Sequence, residues 1–344
     1  MIVELSSNRV YRTYLGGSRI DRLMGKSDAK DGHFPEEWVG STILAFNPGR
    51  EKLVEGLSRS KTGELLLEII RRDPVRLLGK EMVGKYGETL SILVKLLDSA
   101  ERLVIQAHPT AEFASRYFHS QFGKTESWYI LEADESACVY LGFKSGITRK
   151  QWMDCFEKQD IPRMLSLLHR IPVKPNDCLF VDGGVPHAIG GGCLLLELQE
   201  PTDFMVVPER KTPSGNIVPE AKLHGGLGFD RMFDCFIYNG YEYREFLKKY
   251  KAEPVEICTG VWSVIDKRLT DKFSLLVCKP ASSVTVNLHN RYAIVVIVEG
   301  SGEILSGNGR LPLSPGTQLF IGADEGFFVI HKESDVMKVI VCRP

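Results

Sequence analysis

At 344 residues the chain can hold two domains, or one large unit carrying insertions. Hydrophobic residues at 43% and charged residues at 25% support a real core and exclude intrinsic disorder. A net charge of −1 argues against nucleic acid or an anionic membrane as the main partner.

The opening MIVELSSNRVYRTYLGG carries charges too early for a signal peptide. Residues 1 to about 56 alternate short apolar and polar groups around Gly16, Gly17, Pro35 and Pro48, a pattern of strands and loops. Residues 59–98 read as helical: TGELLLEIIRR, a break at Asp73-Pro74, then VRLLGKEMVGKYG and LSILVKLLD. Next comes VIQAHPT. Leu103-Val104-Ile105 reads as a buried strand from which Gln106 and His108 leave on one face before Pro109 ends the run. Residues 147–170 form a second helical patch, with a capping box at Thr148 and Gln151 and a restart at Asp160-Ile161-Pro162. From 171 onward, short β-branched runs between Gly, Pro, Asn and Asp predict strands. YAIVVIV is only strand-length, so no membrane span is expected, and the protein should be soluble and cytoplasmic. Eight scattered cysteines with no CxxC pair read as buried free thiols of a reducing compartment.

The strand-rich parts repeat. PNDCLFVDGGVPHAI from Pro175 matches PGTQLFIGADEGFFV from Pro315, and VIQAHP resembles TVNLHN at 285–290. Such a repeat suggests two β-barrels of one type in tandem, with helical segments inserted mainly into the first. Aligning the halves places Gln106, His108, Glu126 and His187 around the inner surface of the first barrel, where the second has Asn287, His289, Ala293 and Phe327. The polar cluster is therefore dispensable for the architecture and should serve something else. Two imidazoles, a carboxylate and an amide oxygen suit a divalent ion such as zinc, iron or manganese, in an arrangement that leaves room for water or substrate.

LVKLLD, LVIQAHPT, GKTESWY and VPHAIGGGCLLLELQEPTDF, in this order, resemble the type I mannose-6-phosphate isomerases (phosphomannose isomerases) of the cupin superfamily over most of the chain. The resemblance implies a mainly β fold of two tandem cupin-type β-barrels (jelly rolls) with a helical insertion. Residues 1–240 would form the catalytic barrel, with helical insertions at about 59–98 and 147–170, and residues 241–344 a second, metal-free barrel. It places the metal ligands, for Zn2+ or another divalent metal, on Gln106, His108, Glu126 and His187. Active-site lysines fall on Lys95 and Lys124, and an acidic residue on Glu197. The implied reaction interconverts mannose 6-phosphate and fructose 6-phosphate through an enediol, in a monomer or homodimer. Two features depart from the family: its HPDD stretch reads HPTA here, and an arginine expected about ten residues after Glu197 is Val207, with Arg210 the nearby cation that a bulge would turn toward the sugar phosphate.

Isomerisation needs a base and something to hold the developing oxyanion. Glu197, half buried in LLLEL, is the candidate base. Lys124, two residues before Glu126, would share its face and stabilise oxyanion charge, and Lys95 would bind an anionic substituent. Three other readings stay open: a non-haem iron oxygenase, which uses two His and one carboxylate, a non-catalytic carbohydrate-binding cupin, and an isomerase of a different sugar.

Overall fold

The computed structural model describes residues 1–307 and 309–344. In the first part of the chain run β1 (Ile2–Glu4), β2 (Arg9–Val10), β3 (Glu36–Val39), β4 (Leu93–Ser99), β5 (Glu126–Ala133), β6 (Cys138–Phe143), β7 (Leu168–Pro172), β8 (Cys178–Val181), β9 (His187–Ile189) and β10 (Cys193–Gln199). The second part adds β11 (Val255–Cys258), β12 (Val261–Ile265), β13 (Ser274–Cys278), β14 (Ser283–Asn287), β15 (Ala293–Glu299), β16 (Gly302–Ser306), β17 (Gly309–Leu313), β18 (Gln318–Ile321), β19 (Phe327–Lys332) and β20 (Lys338–Arg343).

The fold is mainly β, as expected, and the two parts share a strand layout. A six-stranded sheet β2-β3-β4-β10-β5-β8 accompanies a three-stranded β7-β6-β9. In the second part, a seven-stranded β11-β12-β13-β20-β15-β18-β1 accompanies a four-stranded β17-β16-β19-β14. The order β3-β4-β10-β5-β8 thus reappears as β12-β13-β20-β15-β18, and β8 and β18 stand at the same offset as the sequence repeat. The parts interlock: β1 pairs with β18, Tyr292 Oη accepts the Ser91 amide at 2.8 Å, and Gln318 Nε2 donates to Glu37 at 3.1 Å. No helix among the described residues is long and apolar enough to cross a membrane.

Register fixes what each face of the six-stranded sheet presents, because residues directly opposite each other point the same way. Trp38 faces Lys95, Lys95 faces Glu197, Glu197 faces Trp128, and Gln199 faces Glu126. With the period-two alternation along β3, this puts Glu36, Trp38, Lys95, Glu197, Gln199, Glu126 and Trp128 on one face. The opposite face carries Val39, Val94, Leu96, Leu198 and Tyr129, which join the main apolar core. One sheet therefore has an oily side and a side studded with buried charges.

The helical expectation for 59–98 holds only as far as Tyr86. Helices span Leu66–Arg72, Pro74–Leu78 and Lys80–Tyr86, with Asp73 capping the second. LVKLLDS is strand β4 and is buried throughout. A central strand covered on both faces has no polar alternation, so its apolar run imitates a helix. The second patch is helical over Arg149–Lys158, with the Thr148–Gln151 capping box, and Ile161–Ser166, capped by Asp160, before β7 begins at Leu168. Leu103-Val104-Ile105 is an extended segment outside the named strands. It touches β9 through Leu103 N to Ile189 O at 2.9 Å and a bridge between Gln106 and His187. The cysteines are free; all but Cys258 are buried.

Candidate metal centre and its cavity

The Gln106–Thr110 turn is held by its backbone. Gln106 exchanges two hydrogen bonds with His187 (2.9 and 2.8 Å), Pro109 O accepts Lys124 N at 2.9 Å, and Thr110 caps the helix Ala111–Phe118. Two glycines clamp the turn. A Cβ on Gly123 would lie 2.6 Å from Ala111 N, and one on Gly183 2.7 Å from Thr110 Cα, so neither position accepts a side chain. The result brings His108, β5 and β9 to one point.

There His108, Glu126 and His187 converge, with donor atoms within 4.8 Å of one another. His108 Nδ1 bonds Phe204 O at 2.8 Å and His187 Nδ1 bonds Val185 O at 2.9 Å. A carbonyl only accepts, so each Nδ1 carries the proton and each Nε2 presents a lone pair. Those lone pairs face the same carboxylate: His108 Nε2 is 3.3 Å from Glu126 Oε2, and His187 Nε2 is 3.5 Å from Oε1. At these distances neither contact has hydrogen-bonding alignment, and His108 Nε2, His187 Nε2 and Glu126 Oε2 are buried without a hydrogen-bond partner. Trp128 Nε1 donates to Glu126 Oε1 at 3.1 Å, fixing the carboxylate's orientation.

Protonation does not relieve the crowding. Burial, helped by nearby Lys124, pushes His108 down to about 4, and burial lowers His187 as well. For Glu126 burial favours the neutral acid, but the charges around it, with Lys124 the fixed cation at 3.5 Å, hold the carboxyl well below its usual range. Three lone-pair donors aimed at one another in a dry site require a cation. Two neutral imidazoles and one carboxylate suit Zn2+, with coordination positions left over, and no thiolate is present. The donor set fits the ion.

A cavity opens beside this trio, lined by Gln106 and Lys124 together with Lys95, Glu197, Val207 and others. Lys124 Nζ stands 3.5 Å from Glu126 Oε2. Glu197, expected half buried, is 4% exposed and pairs through Oε1 with Lys95 Nζ at 2.9 Å; no hydrogen bond engages its Oε2 among the described residues. Burial alone would lower Lys95, but Glu197 and Glu36 outweigh it and raise its pKa.

Arg210 is not part of this cavity. It is exposed, lies over Phe156 and Phe229 at 4.7 and 5.0 Å, and its amide bonds Gln159. No bulge turns it inward; two aromatic faces hold the guanidinium outside. Asp203 is a cavity residue bonded to Arg12 at 3.2 Å and to Phe46 N at 2.8 Å. Sequence reasoning missed Arg12, Glu36, Asp203 and Lys222, all of which line the space. For Glu36 a signal existed in the alternation of EEWV; the others are brought in by long-range folding.

Comparison with known proteins shows the family and the fold. Residues 15–137 match a family model described as "Phosphomannose isomerase type I, catalytic domain", and residues 267–341 match "Mannose-6-phosphate isomerase, cupin domain". Together they cover more than half of the chain. The chain is 25% identical to mannose-6-phosphate isomerase ManA of Bacillus subtilis (strain 168), over 71% of its own length and 73% of that protein. In fold it resembles the crystal structure of the mannose 6-phosphate isomerase from Bacillus subtilis, with a TM-score of 0.75 at 22% identity over 99% of each chain. A zinc-bound holo mannose 6-phosphate isomerase aligns with a TM-score of 0.74 at 16% identity, again over 99% of each chain.

Proposed function

Because this chain belongs to the type I phosphomannose isomerase family, we propose that it interconverts mannose 6-phosphate and fructose 6-phosphate through an enediol. One observation carries the reading: three buried lone-pair donors converge on one point at the edge of a cavity that also holds a carboxylate and lysines. A zinc ion held by His108, Glu126 and His187, with Gln106 as fourth donor, would supply Lewis-acid polarisation of the sugar oxygens. Glu197 takes the proton moved between the two carbons on Oε2, while Lys95 on Oε1 fixes its rotamer. Lys124 offers an ammonium to oxyanion charge next to Glu126. Burial of the whole group excludes water and strengthens each of these interactions.

We read the shared strand order as two cupin-type units, 1–240 and 241–344, with β1 crossing to the second. In the second unit the corresponding slots hold exposed Asn287, His289 and Phe327 and buried Ala293, and no metal duty is assigned to it.

A coupled assay for fructose 6-phosphate formed from mannose 6-phosphate, run beside elemental analysis, tests the reading. We expect one zinc per chain together with turnover, and Glu197→Gln should lose turnover at unchanged zinc content. Zinc without turnover would move the weight to a carbohydrate-binding protein. A second reading, an isomerase of an unphosphorylated sugar, is favoured by Val207, which is 1% exposed and presents an apolar side chain to the cavity.

A further inference from the structure

The cavity contains four cations, Arg12, Lys95, Lys124 and Lys222, and three carboxylates, Glu36, Glu197 and Asp203. Most of these charges are already matched. Glu36 accepts from Arg12 at 3.0 Å, from Tyr14 Oη at 2.9 Å and from Trp38 Nε1 at 2.8 Å. Asp203 is taken by Arg12 and the Phe46 amide, Glu197 by Lys95, and Lys124 lies against Glu126.

Lys222 is left over. It sits in the short helix Glu220–His224, is 9% exposed, and its ammonium has no hydrogen bond or ion pair among the described residues. Burial first, then Arg12, push it down to about 8, so the group is still mainly charged at neutral pH. Asp203 and Glu36 attract it but are bonded to Arg12 and make no direct pair with it, so an entering anion would supply the contact that this buried ammonium lacks. Lys222 also borders a mainly apolar cleft of about 570 Å³ that shares Asp203 and Met205 with the cavity. The charge therefore stands where the two spaces meet, within reach of a molecule entering from outside. Position 207 adjoins it: Val207 N donates to Leu223 O at 2.8 Å, and Val207, Val218 and Leu223 form one apolar cluster. An apolar residue at 207 and an unmatched lysine beside Leu223 are thus neighbours across one backbone bond.

We propose that Lys222 is the anion-recognising residue of this site and pairs with the phosphomonoester dianion of the sugar substrate. The proposal rests on the sugar-phosphate reading above and names the residue that would make it specific. A phosphomonoester would give Lys222 the direct ion pair it lacks, whereas a neutral sugar leaves the ammonium without one. A charge-assisted contact of about 1.5–3 kcal/mol corresponds to roughly 10- to 150-fold in affinity.

Lys222→Met keeps the aliphatic stem and removes the charge; Lys222→Arg keeps the charge. Zinc-loaded wild type and both variants are compared in three measurements: KM and kcat on mannose 6-phosphate, the Kd of inorganic phosphate by calorimetry, and the thermal shift given by phosphate. For Lys222→Met we expect KM and the phosphate Kd to rise about 10- to 150-fold, with kcat changed only a few-fold and Tm without ligand no lower than in wild type. Lys222→Arg should restore most of the loss. An unchanged phosphate Kd in folded Lys222→Met overturns the proposal. So does a lost phosphate site with unchanged KM, which would mean a free-phosphate site off the substrate path. A wild type that binds phosphate through Lys222 yet turns over no mannose 6-phosphate would keep the anion site and sink the isomerase reading instead.

Discussion

Replacing Lys95 tests whether the charged face of the six-stranded sheet is held by pairing. Lys95 and Glu197 are directly opposed on β4 and β10, 2.9 Å apart, with side chains only 3% and 5% exposed. At an effective dielectric constant near 20, that separation corresponds to about 6 kcal/mol of Coulomb attraction, offset by the desolvation of both ions. The pair's net worth is small, but removing one member leaves the other charged and dry. Lys95→Met should cost about 3–5 kcal/mol, because Glu197 has no second cation bonded to it. Glu197→Gln should cost less, about 1–3 kcal/mol, since Lys95 keeps the attraction of Glu36 and the Trp38 ring at 4.9 Å. The double variant Lys95→Met/Glu197→Gln removes both charges and should be more stable than the sum of the single losses by about 2–3 kcal/mol. Urea unfolding of zinc-saturated protein, followed by tryptophan fluorescence, reads all three, because Trp38 and Trp128 flank the pair in register. Equal single losses that simply add in the double variant would refute the argument.

Other consequences follow from the same geometry. His108→Ala or His187→Ala should lower zinc affinity by more than about 100-fold, seen as loss of metal on dialysis, since each removes a donor where even supporting residues matter 10- to 100-fold. Chelation should lower Tm in wild type and leave His187→Ala unmoved, because only wild type gains binding energy from the ion. Acid should destabilise the fold partly through Glu36. Burial opposes its ionisation, but Arg12 and Lys95 prevail and hold the carboxyl below its ordinary value. Its contribution is complete above the unfolded value of about 4.3 and is lost as pH falls toward the folded one, so Tm of Glu36→Gln should fall less steeply than wild type below about pH 5. Thr148→Ala removes the cap of the helix Arg149–Lys158 and should cost about 0.5–2 kcal/mol in thermal unfolding.

What could be read from the chain is what has a short period or an internal copy. Short β-branched runs between turn residues marked the strand-rich part after residue 171, and local caps at Asp73, Thr148 and Asp160 marked helix starts. The trio His108, Glu126 and His187 emerged because a second copy of the layout lacks it, with Ala293 and Phe327 in two of the slots. Pairings between distant residues had no such signature. Lys95 and Glu197 are 102 residues apart, and Arg12 and Asp203 are 191 apart. Lys222, in EAKLHGG, looks like any solvated helix lysine until the fold buries it. The error over β4 has the opposite origin: the strand's burial is so complete that it erased the alternation by which strands are recognised.

The contrast between the two sheet systems bears on what the second one does. With the same strand order, its interior is an apolar cluster from Val261 to Val341, which folds without any of the charges that the first carries. Its side chains nonetheless reach the charged site. Lys272 Nζ bonds Glu200 at 2.7 Å and Thr125 Oγ1 at 2.6 Å, and Glu200 in turn accepts the Thr125 amide at 2.9 Å. Thr125 lies between Lys124 and Glu126, so the start of β5 is tied to the other half of the molecule at the very residue that separates the two functional side chains. Mutual repulsion among the donors would otherwise push this corner apart. An apolar copy that needs no polar interior can be rigid, and rigidity at Thr125 keeps unfavourable lone pairs aimed at a common point. The apolar interior of the second sheet system and the fixed donor geometry of the first are, on this argument, two sides of one arrangement.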